Sequence, residues 1–308
     1  MHVPVMLRET VEALAVRPGG SYIDATVGSA GHAAEVLRRA GPEGRLLGID
    51  RDAEALERAR LRLEGVPGQV RLVHGAHGDI RRLAVENGFQ AIDGILLDLG
   101  VSSEELDTPG RGFSFRLDGP LDMRMDATRG ETAAELLARL DEQEMAEVFR
   151  TLGEEPQARR IARAIVRERA REPIVTTGRL AAVVCAAVGR WGGARHPATR
   201  VYQSVRMRLN SEVEDLGRAL EDGLGLLRPG GRFAVLAYES ITDRIVKRRF
   251  AAHIGRWRAL PQGGEAWEAG ELPEAVAVTR KAVKASDEEV AGNPRARSAR
   301  LRVVARKD

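Results

Sequence analysis

Ile95-Leu96-Leu97-Asp98-Leu99-Gly100-Val101-Ser102-Ser103 is the stretch that decides the fold. Its apolar run, Ile95 to Leu97, ends in an acid followed closely by a glycine. A strand that passes through a core and surfaces at a polar turn reads this way. The chain then continues through Arg111-Gly112-Phe113-Ser114-Phe115 and Asp118-Gly119-Pro120-Leu121-Asp122-Met123-Arg124-Met125-Asp126. No helical or strand period runs through it. Long loops of this kind in compact domains are functional or disordered, and this one is too apolar and aromatic for disorder. It is either a surface loop pinned by Phe113 and Phe115, or an active-site loop at the carboxyl end of a central strand. The second is the sharper reading.

Upstream, strands and helices alternate. Ser21 to Thr26 reads as a strand with Asp24 near its end. Val27-Gly28-Ser29-Ala30-Gly31-His32 is a small-residue turn, and Ala33 to Ala40 has helical spacing. Arg45 to Asp50 is a second strand ending in an acid, and Asp52 can cap the helix that runs to about Leu63. Gln69 to Val73 is a third strand, Ile80 to Glu86 a helix, and Ala91 to Asp98 the fourth strand. This alternation predicts a doubly wound, mostly parallel sheet.

Ligands of such sheets sit outside the carboxyl ends of the strands, where Asp24, Asp50 and Asp98 lie. The small residues from Gly28 to Gly31 let a backbone approach a ligand closely. An acid at the second strand end suits paired ribose hydroxyls. A dinucleotide site calls for G-x-G-x-x-G. Only Gly28-x-x-Gly31 is present, which disfavours a diphosphate and favours a nucleoside ligand such as S-adenosylmethionine.

After Ser103 the pattern becomes helical: Thr132 to Leu140, Gln143 to Thr151, Pro156 to Arg171 and Thr177 to Val188. The third of these is strongly basic, with Arg159, Arg160, Arg163, Arg167, Arg169 and Arg171. It is either a solvated face balanced by Glu168 and Glu172 or a phosphate-contacting one. Trp191 to Arg195 reads as a loop. Alternation then resumes: a long helix over Val201 to Leu227, a fifth strand over Arg232 to Tyr238, and a helix over Ile241 to His253. Val276 to Val283 and Leu301 to Ala305 form a strand pair, joined by a basic loop from Asn293 to Arg300. The expected organisation is a split domain, 1–104 and 205–308, with an inserted, mainly helical substrate-recognition domain over 105–204.

Composition agrees. The 308 residues carry 48 basic and 45 acidic side chains, a net charge of +3, so any nucleic-acid surface is local. A hydrophobic content of 43% supports a substantial core. The single cysteine, Cys185, excludes a disulfide framework and a cysteine-rich metal site; it lies in an apolar helical run, and no metal site is expected. There is no signal-peptide pattern and no run long enough to span a bilayer. A cytoplasmic location and no membrane partner are expected.

The chain resembles the RsmH (MraW) family, bacterial S-adenosylmethionine-dependent methyltransferases that modify the exocyclic N4 of a cytidine in the decoding region of 16S rRNA. The residues that carry the resemblance span almost the whole sequence. They are His2-Val3-Pro4-Val5-Met6-Leu7, the Asp24 to His32 turn, Asp50-Arg51-Asp52, Asp98 to Ser103, Arg111 to Phe115 and Asp118 to Asp126. Further on come Gly153-Glu154-Glu155, His196-Pro197-Ala198-Thr199-Arg200 and Asn293 to Ser298. The resemblance implies S-adenosyl-L-methionine as cofactor, contacted at Ala30, Gly31, His32, Asp50, His77, Asp98 and Glu105. It implies 16S rRNA within the small ribosomal subunit as substrate, and a Rossmann-like methyltransferase fold. The family usually has glycine at Ala30, an aromatic at His77 and glutamine at Glu105. Tyr238-Glu239-Ser240-Ile241-Thr242-Asp243-Arg244 stands where it typically reads Phe-His-Ser-Leu-Glu-Asp-Arg.

The chemistry fits this inventory. An activated methyl needs mainly alignment with an amine lone pair, and a carboxylate accepting an N4 hydrogen localises that lone pair. Asp98 is the catalytic candidate, with the carbonyls of Leu99 and Gly100 beside it. The target base must be unstacked; Phe113 and Phe115 can stack on it, although core anchoring suits either. His196, Arg200, Arg159, Arg163 and Arg167 then face RNA. A nicotinamide oxidoreductase on a similar sheet and a non-catalytic RNA-binding assembly factor stay open, as does the oligomeric state, a homodimer among the options.

Overall fold

A computed structural model describes residues 4–190, 192, 196–254, 256–259, 262, 264–268 and 274–307. His2 and Val3 of the amino-terminal motif lie outside the described residues, as do Trp191, Gly193, Ala194 and Arg195 of the expected loop. The elements run in chain order as α1 (Leu7–Ala13), β1 (Ser21–Asp24), α2 (Gly31–Ala40), β2 (Arg45–Asp50), α3 (Ala53–Leu63), β3 (Gln69–His74), α4 (Ile80–Glu86) and β4 (Ile92–Asp98). Then come α5 (Ser103–Asp107), α6 (Ala133–Arg139), α7 (Glu142–Gly153), α8 (Ala158–Arg169), α9 (Thr177–Val188), α10 (Ala198–Leu209), α11 (Glu212–Leu226), β5 (Leu227–Ala237) and α12 (Ser240–Ile254). Last are β6 (Arg256–Ala259), β7 (Glu265–Glu268), β8 (Ala275–Ala277), β9 (Val283–Lys284), α13 (Asp287–Gly292) and β10 (Arg300–Arg306).

The chain divides into two compact units, 1–100 with 214–308, and 101–213. The sequence placed these boundaries at 104 and 205. The second boundary moves because α10 packs on α7 and α9, which keeps the whole of α10 in the helical unit.

In the first unit the sheet order is β3-β2-β1-β4-β5-β10-β8, with β9 also on β10. The neighbouring pairs from β3 through β5 are all parallel, and β10 is antiparallel to β5, β8 and β9. This is the doubly wound, mostly parallel α/β architecture that the alternation predicts. At its far edge the expected pairing of Leu301 to Ala305 with the 276–283 segment is present, Ala305 opposite Val276 and Leu301 opposite Val283, and the same strand also pairs with β5 on its other side. Successive strand residues point to opposite faces. Ile23, Leu47, Ile95, Leu97, Phe233 and Val235 pack in one core with Leu216, Leu220 and Phe250 from α11 and α12. Tyr22, Leu46, Leu96, Ala234 and Leu236 pack in the other with Val11, Val36, Leu37 and Ala59 from α1, α2 and α3. Both faces are covered, which is why these strands read as continuous apolar runs. A separate hairpin pairs β6 with β7. Among the described residues no helix is long and apolar enough to cross a membrane.

At the amino end of β4, buried Asp93 accepts from Arg17 Nε at 2.5 Å and Ser21 N at 2.8 Å, and also pairs with Arg228. Burial opposes its charge, but these donors hold it below the usual carboxylate range.

The second unit has its own core, in which Leu136, Leu137, Phe149, Ile161, Ile165, Leu180, Val184 and Val201 meet. Two of its helices, α6 and α7, begin with full capping boxes, Thr132 with Glu135 and Asp141 with Glu144. The long helix expected over Val201 to Leu227 is two helices. The break falls at Asn210 and at Ser211, whose φ is 51°. Asn210 Nδ2 donates to the carbonyls of Arg206 and Met123, each at 2.9 Å, while its Oδ1 accepts from Met125 N at 2.8 Å. Arg206 and Glu212 bridge the break with two buried bonds of 2.7 and 2.9 Å. Apolar periodicity continues on both sides, so it does not reveal the stop. Asn210 therefore ties a helix end to the 123–125 loop. Asn210→Ala is expected to lower stability by about 1–3 kcal/mol, the cost of leaving buried backbone groups unbonded. Urea unfolding checks this; an unchanged midpoint would refute the role.

Candidate active site

Four consecutive strands, β3, β2, β1 and β4, bring their carboxyl ends side by side. The switch point lies between β1 and β4, because the chain leaves β1 toward β2 and β3 on one side and returns at β4 on the other. The candidates of the first unit converge here: the Ala30-Gly31-His32 turn after β1, Asp50 ending β2, His77 after β3, and Asp98 ending β4.

The turn is shaped from within. Ala30 adopts φ 58°, a left-handed conformation that disfavours a Cβ. A Cβ on Gly31 would lie 2.2 Å from Pro4 Cγ. The close approach seen at Gly31 is thus to the amino-terminal segment. Asp50 also serves the turn: Oδ2 accepts from Gly28 N at 2.8 Å and Oδ1 from Asp52 N at 2.9 Å. Each of those oxygens keeps a second lone pair. Asp52 caps α3 through Glu54 N at 2.9 Å.

Asp98 is held by side chains from two other elements. Tyr238 donates its hydroxyl to Oδ1 at 2.8 Å. His32 Nδ1 lies 3.6 Å from Oδ2, and its Nε2 faces the Val5 carbonyl at 3.0 Å. A carbonyl only accepts, so Nε2 carries the proton. The Asp98 amide donates to Thr26 Oγ1 at 2.6 Å. Tyr238 and Thr26 are site residues that sequence reasoning left unassigned. The available signal was a tyrosine directly following an apolar strand, and a threonine two positions after a strand-end acid.

Buried Asp24 is held up to about 8, first by burial and then by the Asp98 and Asp50 carboxylates, against one bond from Thr26 N at 3.3 Å. Burial also raises Asp50, opposed by its two backbone donors. His77 is pushed down to about 3 by burial and the nearby Arg51 and Arg218 guanidiniums, so its ring is neutral. Its Nε2 is buried with no hydrogen-bond partner among the described residues. Crowded carboxylates suit a cationic ligand, and an orphaned ring nitrogen suits a ligand with a polar edge. Among the described residues no group of three or more His, Cys, Asp or Glu side chains is arranged to hold a metal ion.

In the second unit, Glu105 closes a capping box on α5: Ser102 N donates to Oε2 at 2.7 Å, and Ser102 Oγ accepts from Glu105 N at 3.1 Å. Either glutamate or glutamine performs this task. Phe113 is 7% exposed and belongs to the core, so its ring anchors the loop and is withdrawn from base stacking. Phe115 is half-buried, stacked on His196 at 4.4 Å and edge-on to Tyr202 at 4.9 Å. His196 Nδ1 accepts from Ala198 N at 3.2 Å, which starts α10. Arg200 donates to the Glu154 carbonyl at 2.9 Å. On α8, Arg159, Arg163 and Arg167 are exposed. Arg163 pairs with Glu142 at 3.2 Å and Arg167 with Glu168 at 3.5 Å. Arg169 instead turns inward, donating to the carbonyls of Leu137 and Leu140.

Proton linkage at Asp24 gives a pH signature. The folded carboxyl keeps its proton to about pH 8, whereas an unfolded one loses it near pH 4. The folded state binds more protons in between, so this contribution is full below about pH 4 and is lost as pH rises to about 8. Asp24→Asn never ionises. In cofactor-free protein its stability relative to the original chain is expected to rise steadily across that window. Denaturant midpoints at several pH values test this, and a constant gap would mean that folded Asp24 is ionised throughout.

Comparison with known proteins was consistent over the full length. Residues 1–307 match the family model described as the MraW methylase family. The chain is 50% identical over 310 residues to Ribosomal RNA small subunit methyltransferase H of Symbiobacterium thermophilum, covering 98% of this chain and 96% of that one. It is 47% identical over 307 residues to the protein of the same name from Syntrophotalea carbinolica, covering 99% and 98%. For that from Thermomicrobium roseum the figures are 46% over 305 residues, covering 99% and 93%. With strand ends, turn and loops all falling inside one full-length match, the chain belongs to the MraW methylase family.

Proposed function

We propose that this protein transfers a methyl group from S-adenosylmethionine to the exocyclic N4 of a cytidine in the decoding region of 16S rRNA, acting on the small ribosomal subunit in the cytoplasm. The observation that supports it most is the full-length likeness to small-subunit rRNA methyltransferases. The acid-lined strand ends supply the physical complement.

S-adenosylmethionine supplies a methyl group already activated by a sulfonium. The rest of the work belongs to this chain. Asp50 uses its remaining lone pairs on ribose hydroxyls. The neutral His77 ring meets the adenine, and the Ala30-Gly31-His32 turn forms the floor. Asp98 accepts a hydrogen from the N4 amine, which concentrates the nitrogen lone pair and takes up charge as the new bond forms. Arg159, Arg163 and Arg167 give the second unit a phosphate-contacting face, and Phe115, His196 and Arg200 lie in the same unit as candidate RNA contacts.

Replacing Asp98 with Asn keeps its size and removes its charge. Turnover at saturating S-adenosylmethionine is expected to fall by roughly 10²-fold, the scale of a lost acid–base group, while RNA binding persists. Methyl transfer to small subunits measures it; near-normal turnover would confine Asp98 to cofactor binding.

The arginine face makes an independent prediction. Exchanging Arg159, Arg163 and Arg167 together for Gln is expected to weaken RNA binding. The log–log salt slope should flatten by about 0.7 for each phosphate no longer neutralised, with cofactor affinity unchanged. An unaltered slope in filter-binding titrations returns α8 to an ordinary solvated face.

A further inference from the structure

Tyr238 is the first residue beyond β5, and its ring is half-buried. The ring rests on Gly100, whose φ is 127° and where a Cβ would stand 3.4 Å from Tyr238 Cδ2. A side chain at position 100 would strain the backbone and crowd the ring. The Asp98 backbone is fixed without Tyr238: its amide donates to Thr26, and Leu99 N donates to Leu236 O at 2.9 Å. The phenol therefore reaches the Asp98 carboxylate and not its backbone, through its 2.8 Å bond to Oδ1.

That carboxylate has titratable neighbours. His32 faces it from α2 and the Asp24 carboxyl from β1. Tyr238 itself faces Glu239 and Glu289 as well as Asp98. Burial, followed by the Asp98 carboxylate, pushes the phenol far above its ordinary range, so it remains a donor. Acidic neighbours favour protonation of a carboxylate, and a donated hydrogen bond opposes it.

We propose that Tyr238 is a positioning residue for methyl transfer, fixing the orientation of the Asp98 carboxylate and keeping it ionised to accept a hydrogen of the incoming amine. This rests on the reading of Asp98 given above. As the amine nitrogen bonds the methyl carbon, the carbon–sulfur electron pair stays on sulfur. The nitrogen sheds one proton along its hydrogen bond to Asp98. An Asp98 already protonated cannot take that role.

Tyr238→Phe removes only the hydroxyl. In cofactor-free, full-length protein, ¹³C NMR follows the Asp98 carboxyl, assigned by its loss in Asp98→Asn. Its pKa is expected to rise by about one unit in Tyr238→Phe. At saturating S-adenosylmethionine, turnover is expected to fall about tenfold, with the acid limb of the pH profile moving up by a similar unit. Tyr238→Leu should show the same shift together with lower thermal stability. An unchanged Asp98 titration overturns the proposal. So does a shifted titration with an unchanged rate profile, or an effect seen in Tyr238→Leu but absent in Tyr238→Phe, which assigns it to ring packing. A wild-type protein that transfers no methyl would remove the methyltransferase reading instead, while the NMR titration still decides whether Tyr238 holds Asp98 ionised.

Discussion

Burial of carboxyl groups at neighbouring strand ends, with repulsion adding to it at Asp24, is the constraint on which the first unit's site depends. A doubly wound sheet aligns the ends of β1, β2 and β4, and each ends in aspartate. Like charges held this close in a poorly solvated crevice cannot all ionise without partners. Each acid solves the problem differently. Asp50 takes two backbone N–H donors from the loops on either side of it. Asp98 takes a phenol. Asp24, with one weak backbone bond, keeps its proton. A cation settling among them relieves the crowding for all three at once, so affinity for a positively charged ligand and the protonation of Asp24 are linked quantities.

Much of this was legible because burial writes itself into sequence at a period that the eye can follow. Both faces of the sheet are covered, so Ile95 to Leu97 and Phe233 to Leu236 are unbroken apolar runs, and their ends mark the ligand side. What stayed hidden depends on partners distant in sequence. The apolar periodicity of Val201 to Leu227 does not announce a stop at Asn210, because part of what fixes it, Met123 and Met125, lies far away in sequence. Leu301 to Ala305 reads as a strand, but its place beside β5 is set by pairing across more than sixty residues. Tyr238 reads as the tail of a strand until Asp98 is found 2.8 Å away.

The second unit shows why a residue type in a recognisable motif does not fix its task. Glu154 ends α7 at φ 50°, and its carbonyl receives Arg200. Glu155 is buried and accepts from Gln157 N at 3.0 Å, which starts α8. His196 begins α10 and carries the Phe115 ring. Two sequence motifs separated by some forty residues thus join the same helix pair. Arginines divide in the same way. Arg169 satisfies carbonyls at the end of α6, a use of charge that complements the helix dipole. Arg159, Arg163 and Arg167, on the same helix, stay at the surface, where single ion pairs contribute little to stability.

The Tyr238 to Arg244 segment shows how local physics accommodates a change of residue type. Glu239 directly precedes α12, and its carbonyl accepts from Asp243 N at 3.1 Å, so it begins the first helical turn. Thr242 Oγ1 donates to that carbonyl at 3.0 Å and lies 3.4 Å from the Glu239 carboxylate. A negative side chain is favourable at a helix start, which gives the acid a structural reason to stand there. Four residues on, buried Asp243 binds Arg302 at 2.7 Å and Arg300 at 2.9 Å. Burial opposes its charge, yet the two guanidiniums hold it below the usual carboxylate range. That pairing fastens α12 to β10, the strand inserted beside β5. The same short segment therefore anchors the sheet edge through Asp243 and reaches the strand-end acids through Tyr238.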